Sequence, residues 1–130
     1  MAKGKFVTAI NCMDGRVQAP VIQWLRHHCH ADFVDMITEA GPARVLTVGL
    51  PWSVNSIRER AEISVKAHGS RLIAVIAHDD CAGHPVPKEK QLSDLRKCLE
   101  LVASWSLPVR VITLWVDDNW QVELIDDSQA

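Results

Sequence analysis

The sequence predicts an α/β fold: an open, mostly parallel sheet with helices on both faces and a final antiparallel hairpin strand. Three observations predict it. Strand-sized apolar runs alternate with segments of helical period from end to end. The run Leu72-Ile73-Ala74-Val75-Ile76-Ala77 is apolar throughout, the pattern of a parallel strand covered on both faces. Groups rich in Gly, Pro, Asn and Asp punctuate the alternation where the chain has to turn.

Taken in order, Phe6-Val7-Thr8-Ala9-Ile10 is a buried strand that stops at the turn-like Asn11-Cys12-Met13-Asp14-Gly15. Pro20 suits the first turn of a helix, where its fixed φ is pre-organised and its missing N–H is not needed. Val21, Ile22, Leu25, His28 and Cys29 follow at helical spacing. Phe33-Val34-Asp35-Met36-Ile37 is a second strand, closed by Ala40-Gly41-Pro42. Leu46, Val48, Leu50 and Trp52 lie on a loop or a short helix. Ser56 with Glu59 reads as a capping box that opens the next helix, and Gly69 as its stop. Ile57, Ala61, Ser64, Val65 and His68 trace its inner face. The strand at 72–77 comes next. Pro87 opens another helix, with Leu92, Leu95, Leu99 and Val102 as its buried stripe and Pro108 at its exit. Residues 109–116 form a strand, and Asp117-Asp118-Asn119 turns the chain into a hairpin strand over 120–125. Residues 126–130 read as a loose tail.

Composition bounds the function. A length of 130 residues implies one domain over 1–130. A hydrophobic share of 48% with 23% charged residues excludes a disordered chain. Fourteen Lys and Arg against sixteen Asp and Glu leave no basic stripe, which excludes a nucleic-acid partner. The longest apolar runs are strand-sized and interrupted, so no membrane span is expected. Met1-Ala2-Lys3-Gly4-Lys5 carries no signal-peptide apolar region, and a cytoplasmic location is expected. Cys12, Cys29, Cys81 and Cys98 are then free thiols rather than disulfides.

Parallel topology decides which of these residues can meet. The loops after parallel strands emerge along one edge of the sheet, and ligands bind in the crevice there. Cys12, Asp14 and Arg16 follow the first strand; His78, Cys81 and His84 follow the strand at 72–77. Cys12, His78 and Cys81 supply two thiolates and an imidazole, a donor set suited to tetrahedral zinc. Three protein ligands leave a fourth position, where the pKa of a water falls toward neutrality.

Cys12-Met13-Asp14-Gly15-Arg16, followed by His78-Asp79-Asp80-Cys81, resembles the paired Cys-x-Asp-x-Arg and His-x-x-Cys motifs of the β-class carbonic anhydrases. The likeness extends to Val17 and Pro20, to the helix and strand over 62–83, and to the strand and hairpin over 109–125. The resemblance implies zinc held by Cys12, His78 and Cys81, and hydration of carbon dioxide to bicarbonate by a zinc-bound hydroxide. Asp14 would accept a hydrogen bond from that hydroxide, and Arg16 would keep the Asp14 carboxylate ionised and turned from the metal. In some members the pair opens and the aspartate ligates zinc. The resemblance further implies a homodimer or a dimer of dimers. Members usually carry an N-terminal helical arm; only a few residues precede the first strand here, so sheet edges, helices and tryptophans are expected to hold the dimer.

The chain also departs from the family. A glutamine upstream of the cysteine motif has no counterpart, Lys3 lying near that place. Ile63 stands where many members have tyrosine, Thr38-Glu39-Ala40-Gly41 where many have Arg-Asn-Ala-Gly, and Ala82-Gly83 where two glycines are usual. Two alternatives accompany the carbon dioxide reading: a hydrolase of carbon disulfide or carbonyl sulfide on the same scaffold, and a non-catalytic zinc-binding regulator.

The remaining polar residues have plainer readings. The cluster His27-His28-Cys29-His30 reads as a helix C-terminus, where imidazoles meet the last carbonyls, rather than as a metal site. Cys29 and Cys98 read as buried, reduced thiols. His84 is either a solvated loop residue or a proton shuttle at the rim. Asp79 and Asp80 either orient His78 or stay solvated. The tryptophans are core or interface anchors, with Trp52, in the loop or short helix after the second strand, the one expected near the pocket.

Overall fold

The computed structural model describes residues 3–130. Strand β1 (Phe6–Cys12) leads through a 3-10 turn (Gly15–Val17) into helix α1 (Gln18–His28). Strand β2 (Phe33–Glu39) and helices α2 (Pro42–Val48) and α3 (Pro51–His68) follow. Strand β3 (Leu72–His78), helix α4 (Lys88–Ser104) and strands β4 (Arg110–Val116) and β5 (Val122–Asp127) complete the chain. The sheet order is β2-β1-β3-β4-β5. The first four strands are parallel, and β5 runs antiparallel beside β4. The predicted α/β architecture, with its closing antiparallel hairpin, is what the chain adopts.

Two apolar layers cover the sheet. On one face Ile10, Ile73 and Val75 meet Ile57 and Ala61 of α3 and Leu95 and Val102 of α4. On the other, Ala9, Ala74 and Ile76 meet Val17 with Val21 and Leu25 of α1. Every residue of β3 is buried, which is why its sequence lacks the polar alternation of a half-exposed strand. The chain leaves β1 for β2 on one side and returns to β3 on the other. The strand order therefore reverses between β1 and β3, and the crevice beyond their C-terminal ends is the place such sheets use for ligands.

Several sequence expectations need correction. Ser56 does not cap a helix: α3 begins at Pro51, after an extended Leu50, and Ser56 is an exposed residue inside it. A proline at the first helical position pre-sets the start more firmly than a serine farther on. The ambiguous stretch around Leu46 is the short helix α2, with Pro42 in its first turn. Strand β1 continues through Asn11 to Cys12, because the Asn11 carbonyl oxygen of the side chain accepts from the Cys12 N–H at 2.8 Å and its amide donates to the Val17 carbonyl at 3.2 Å. Residues 126–130 are not a loose tail. Thr113 Oγ1 donates to Asp126 at 2.7 Å, Arg110 Nε to Asp127 at 3.0 Å, and the Ser128 N–H to the Val111 carbonyl at 2.8 Å. Trp120 lies in the hairpin turn, and β5 starts at Val122. No helix among the described residues is long and apolar enough to cross a membrane.

Candidate metal centre

Cys12 ends β1 and His78 ends the neighbouring β3, with Cys81 in the loop just beyond. The three side chains are buried, and their donor atoms all lie within 4.8 Å of one another. The two sulfurs are 3.9 Å apart. Tetrahedral zinc with bonds of about 2.3 Å to each thiolate sets its sulfurs roughly 3.8 Å apart, so the spacing fits the ion.

The imidazole is also set for a cation. His78 Nδ1 lies 2.7 Å from the Asp79 carbonyl oxygen. That oxygen can only accept, so Nδ1 carries a proton, and in the neutral ring Nε2 keeps its lone pair. Nε2 is buried and is the one buried side-chain nitrogen or oxygen among the described residues without a hydrogen-bond partner. Folded proteins rarely leave such an atom unpaired, and a metal ion is a partner that this lone pair and the two sulfurs could share. Here Asp79 acts through its carbonyl, not its carboxylate.

The neighbours of the two sulfurs set their charge differently. A hydrogen bond from the Cys81 thiol pulls the Cys12 thiol well below the ordinary cysteine range. His78 and the N–H groups of Asp14 and Gly41 add to this, against the opposing effect of burial. Cys81 is pushed up by the Cys12 thiolate beside it and by burial, against the smaller opposing effect of the Gly83 and His84 backbone N–H groups. Burial disfavours charge on His78, but the Cys12 thiolate and the Asp79 carbonyl outweigh it and draw the ring toward protonation. A divalent cation neutralises the same negative sulfur and allows both thiols to ionise.

Two glycines let the loops come this close. A Cβ on Gly83 would lie 2.3 Å from the Ala40 carbonyl carbon, and one on Gly41 2.7 Å from the Gly83 carbonyl carbon. Gly41 also has φ +70°, which side chains disfavour.

Asp14 and Arg16 stand beside this group as an ion pair. Arg16 Nη2 donates to Asp14 Oδ2 at 2.7 Å and Nε to Oδ1 at 3.0 Å, a bidentate fork. The guanidinium, followed by the Arg16 backbone N–H, holds the Asp14 carboxyl down at about 2 and raises Arg16 in return. Arg16 reaches further, to the Asp80 carboxylate at 3.3 Å and the Asp80 carbonyl at 3.2 Å. Its Cζ lies 5.0 Å from the centre of the Trp120 ring. Gln18 Nε2 donates to the Cys12 carbonyl at 2.7 Å and the Asp14 carbonyl at 3.0 Å, fixing the loop between them. Reading the sequence missed Gln18, Asp80 and Trp120 as neighbours of the pair, since no local spacing announces them.

Other candidates fall elsewhere. His84 is neither solvated nor within the Cys-His-Cys group: its buried ring meets Asp94 at 2.7 Å, and Lys90 closes on the same carboxylate at 2.7 Å. Glu39 pairs with Arg60 at 2.9 Å. His28 lies against the Trp24 carbonyl at 3.1 Å and stacks on the Trp24 ring, as suits the end of α1. Cys98 is buried and Cys29 half-buried. Trp105 and Trp115 are core residues, whereas Trp52 is exposed at the start of α3.

The fold has known counterparts. A crystal structure of one of two tetrameric β-carbonic anhydrases from the filamentous ascomycete Sordaria macrospora superposes with a TM-score of 0.61 and 11% identity, over 95% of this chain and 82% of that one. At that identity the likeness establishes the fold. A search of curated proteins finds no match. The family described as "Putative carbonic anhydrase" matches residues 2–126, and the chain belongs to that family.

Proposed function

We propose that the chain is a zinc-dependent carbonic anhydrase that hydrates carbon dioxide to bicarbonate. One observation carries the reading: the unpartnered Nε2 of His78 faces two buried sulfurs 3.9 Å apart, next to an ion-paired carboxylate. Cys12, His78 and Cys81 hold the metal, and family membership supports the assignment. Zinc supplies Lewis acidity that brings the pKa of water from 15.7 to about 7. Asp14 accepts a hydrogen bond from the attacking water oxygen and orients its lone pair toward the carbon of carbon dioxide. Because Arg16 holds the Asp14 carboxyl well below the usual carboxylate range, the acceptor is ionised near neutral pH. Arg16 also engages both carboxylate oxygens, so Asp14 stays outside the donor group and a fourth position on a bound ion would be open to solvent.

The reading includes assembly as a homodimer or a dimer of dimers in the cytoplasm. Strand β2 is an uncovered sheet edge, and such edges pair readily with another chain. Phe33, Val48, Leu50, Trp52 and Ile63 are exposed apolar residues of the kind subunit contacts bury. A reducing compartment suits a site built from free thiols. The test is a stopped-flow hydration assay on protein of measured zinc content, with carbonyl sulfide and carbon disulfide run in parallel. Fully zinc-loaded protein that turns over none of the three at alkaline pH overturns the enzyme and leaves a zinc-binding regulator.

A further inference from the structure

We infer that Trp120, with Asp80, is a positioning residue that clamps Arg16 against Asp14 and thereby keeps the carboxylate off the metal ligands. The inference rests on the proposed role of the Asp14–Arg16 pair and extends it to a residue in a different part of the chain. Arg16 is exposed, and a lone surface ion pair of this kind is worth little and leaves the side chains free to separate. Here the guanidinium is held on three sides. Asp14 takes Nε and Nη2, Asp80 takes Nη1 through its carboxylate and Nη2 through its carbonyl, and the Trp120 ring covers the face.

The backbone at the two outer residues is unusual in the same direction. Asp80 has φ 56° and Trp120 φ 60°, both in the left-handed region. A bulky residue there is an outlier that persists where the surroundings over-determine it. In the turn between β4 and β5, Asp117 Oδ1 accepts from the N–H groups of Asn119 at 2.8 Å and Gln121 at 2.9 Å, and the Trp120 N–H donates to the Asp117 carbonyl at 3.1 Å. Such hairpin turns place glycine at the left-handed position, since glycine adopts it without strain. The hairpin alone therefore favours glycine at 120, and what tryptophan adds is the ring over Arg16. The turn is tied to the ligand loop as well, because the Asp79 N–H donates to the Val116 carbonyl at 2.9 Å.

The test uses zinc-loaded, 15N-labelled full chain and follows the Arg16 Nε–H resonance, assigned by its loss in Arg16→Lys. Trp120→Gly relieves the backbone strain, so the fold is retained, as thermal melting reports. The clamp is lost, and Arg16 Nε–H exchange with solvent quickens about threefold or more, the worth of an exposed cation–π contact. Asp80→Asn quickens it independently, and Trp120→Phe restores most of the protection because an aromatic face returns. Exchange in Trp120→Gly equal to that of wild type overturns the clamp. This readout needs no substrate, so an inactive wild type defeats the proposed reaction while the clamp stands or falls on the exchange rates. With an active enzyme, kcat falls in Trp120→Gly and KM does not.

Discussion

Replacing Gly83 by alanine tests whether the crossing of two loops shapes the metal centre. The added Cβ would stand 2.3 Å from the Ala40 carbonyl carbon, 2.5 Å from its oxygen and 2.6 Å from the Gly41 nitrogen. Ordinary contact at such atoms starts near 3.4 Å, so the loops have to part by about 1 Å. All three obstacles are backbone, and none can rotate aside. Forcing a methyl into a packed site costs roughly 1–3 kcal/mol. The displacement falls on the backbone N–H groups of Gly41 and Gly83, which favour the thiolate forms of Cys12 and Cys81 respectively. Losing such outer partners of a metal site typically lowers affinity by about 10- to 100-fold. Competition with a chromophoric chelator measures zinc affinity, and thermal melting measures stability; both should fall in Gly83→Ala. Gly15→Ala is the control, because a Cβ there meets nothing within 4 Å, and it should change stability by no more than about 0.5 kcal/mol. Wild-type zinc affinity and melting temperature in Gly83→Ala would refute the loop-crossing argument.

Three further outcomes follow from the same geometry. Cys12→Ser and Cys81→Ser should each lose most bound zinc by elemental analysis, whereas Cys29→Ser and Cys98→Ser, outside the donor group, should keep it. Asp14→Asn should retain zinc but lose about a hundredfold or more in kcat, since an amide can present an N–H where an acceptor is needed; equal turnover would remove Asp14 from the reaction. The Asp14 carboxyl is depressed from 3.8 to about 2 by Arg16, so its contribution to stability is fully present above about pH 4 and is lost as pH falls toward 2. The stability difference between wild type and Arg16→Ala, read from urea unfolding, should shrink over that window.

The sheet was legible because its strands are buried on both faces and its helices carry one apolar stripe, so periodicity reports burial directly. The donor group was legible for a topological reason: Cys12 and His78 close parallel strands on either side of the point where strand order reverses. Other features made between distant segments carry no such signal in the sequence. At the start of α3, Ser56 and Glu59 imitate a capping box, whereas Pro51 sets the first turn. The apparent tail joins the sheet through Asp126 and Asp127, whose partners Thr113 and Arg110 lie on another strand. His84 was misplaced because its partner, Asp94, comes from α4, and nothing in the loop sequence foretells that pairing. The hold on Arg16 joins the loop after β1, the loop after β3 and the hairpin turn after β4, which no local pattern can announce.

The departures from the family pattern acquire a physical meaning once their positions are known. Ala82 in place of a glycine is compatible with the loop crossing, since the glycine that faces the Ala40 backbone is Gly83. Glu39, where asparagine is usual, turns its charge to Arg60 and so presents no free carboxylate to the sulfurs. Ile63, where tyrosine is common, lies on the exposed face of α3, and Lys3 is exposed as well. None of the four alters the donor atoms of Cys12, His78 and Cys81 or the backbone N–H groups that favour the two thiolates. The residues that could hold a cation are thus separate from the positions at which this chain differs. Metal affinity and substrate preference should accordingly vary independently. A Glu39→Asn substitution should leave zinc content unchanged by elemental analysis, and any effect should fall on the ratio of turnover among carbon dioxide, carbonyl sulfide and carbon disulfide. Loss of zinc in Glu39→Asn would show that the two parts are coupled and that the Glu39–Arg60 pair belongs to the metal centre.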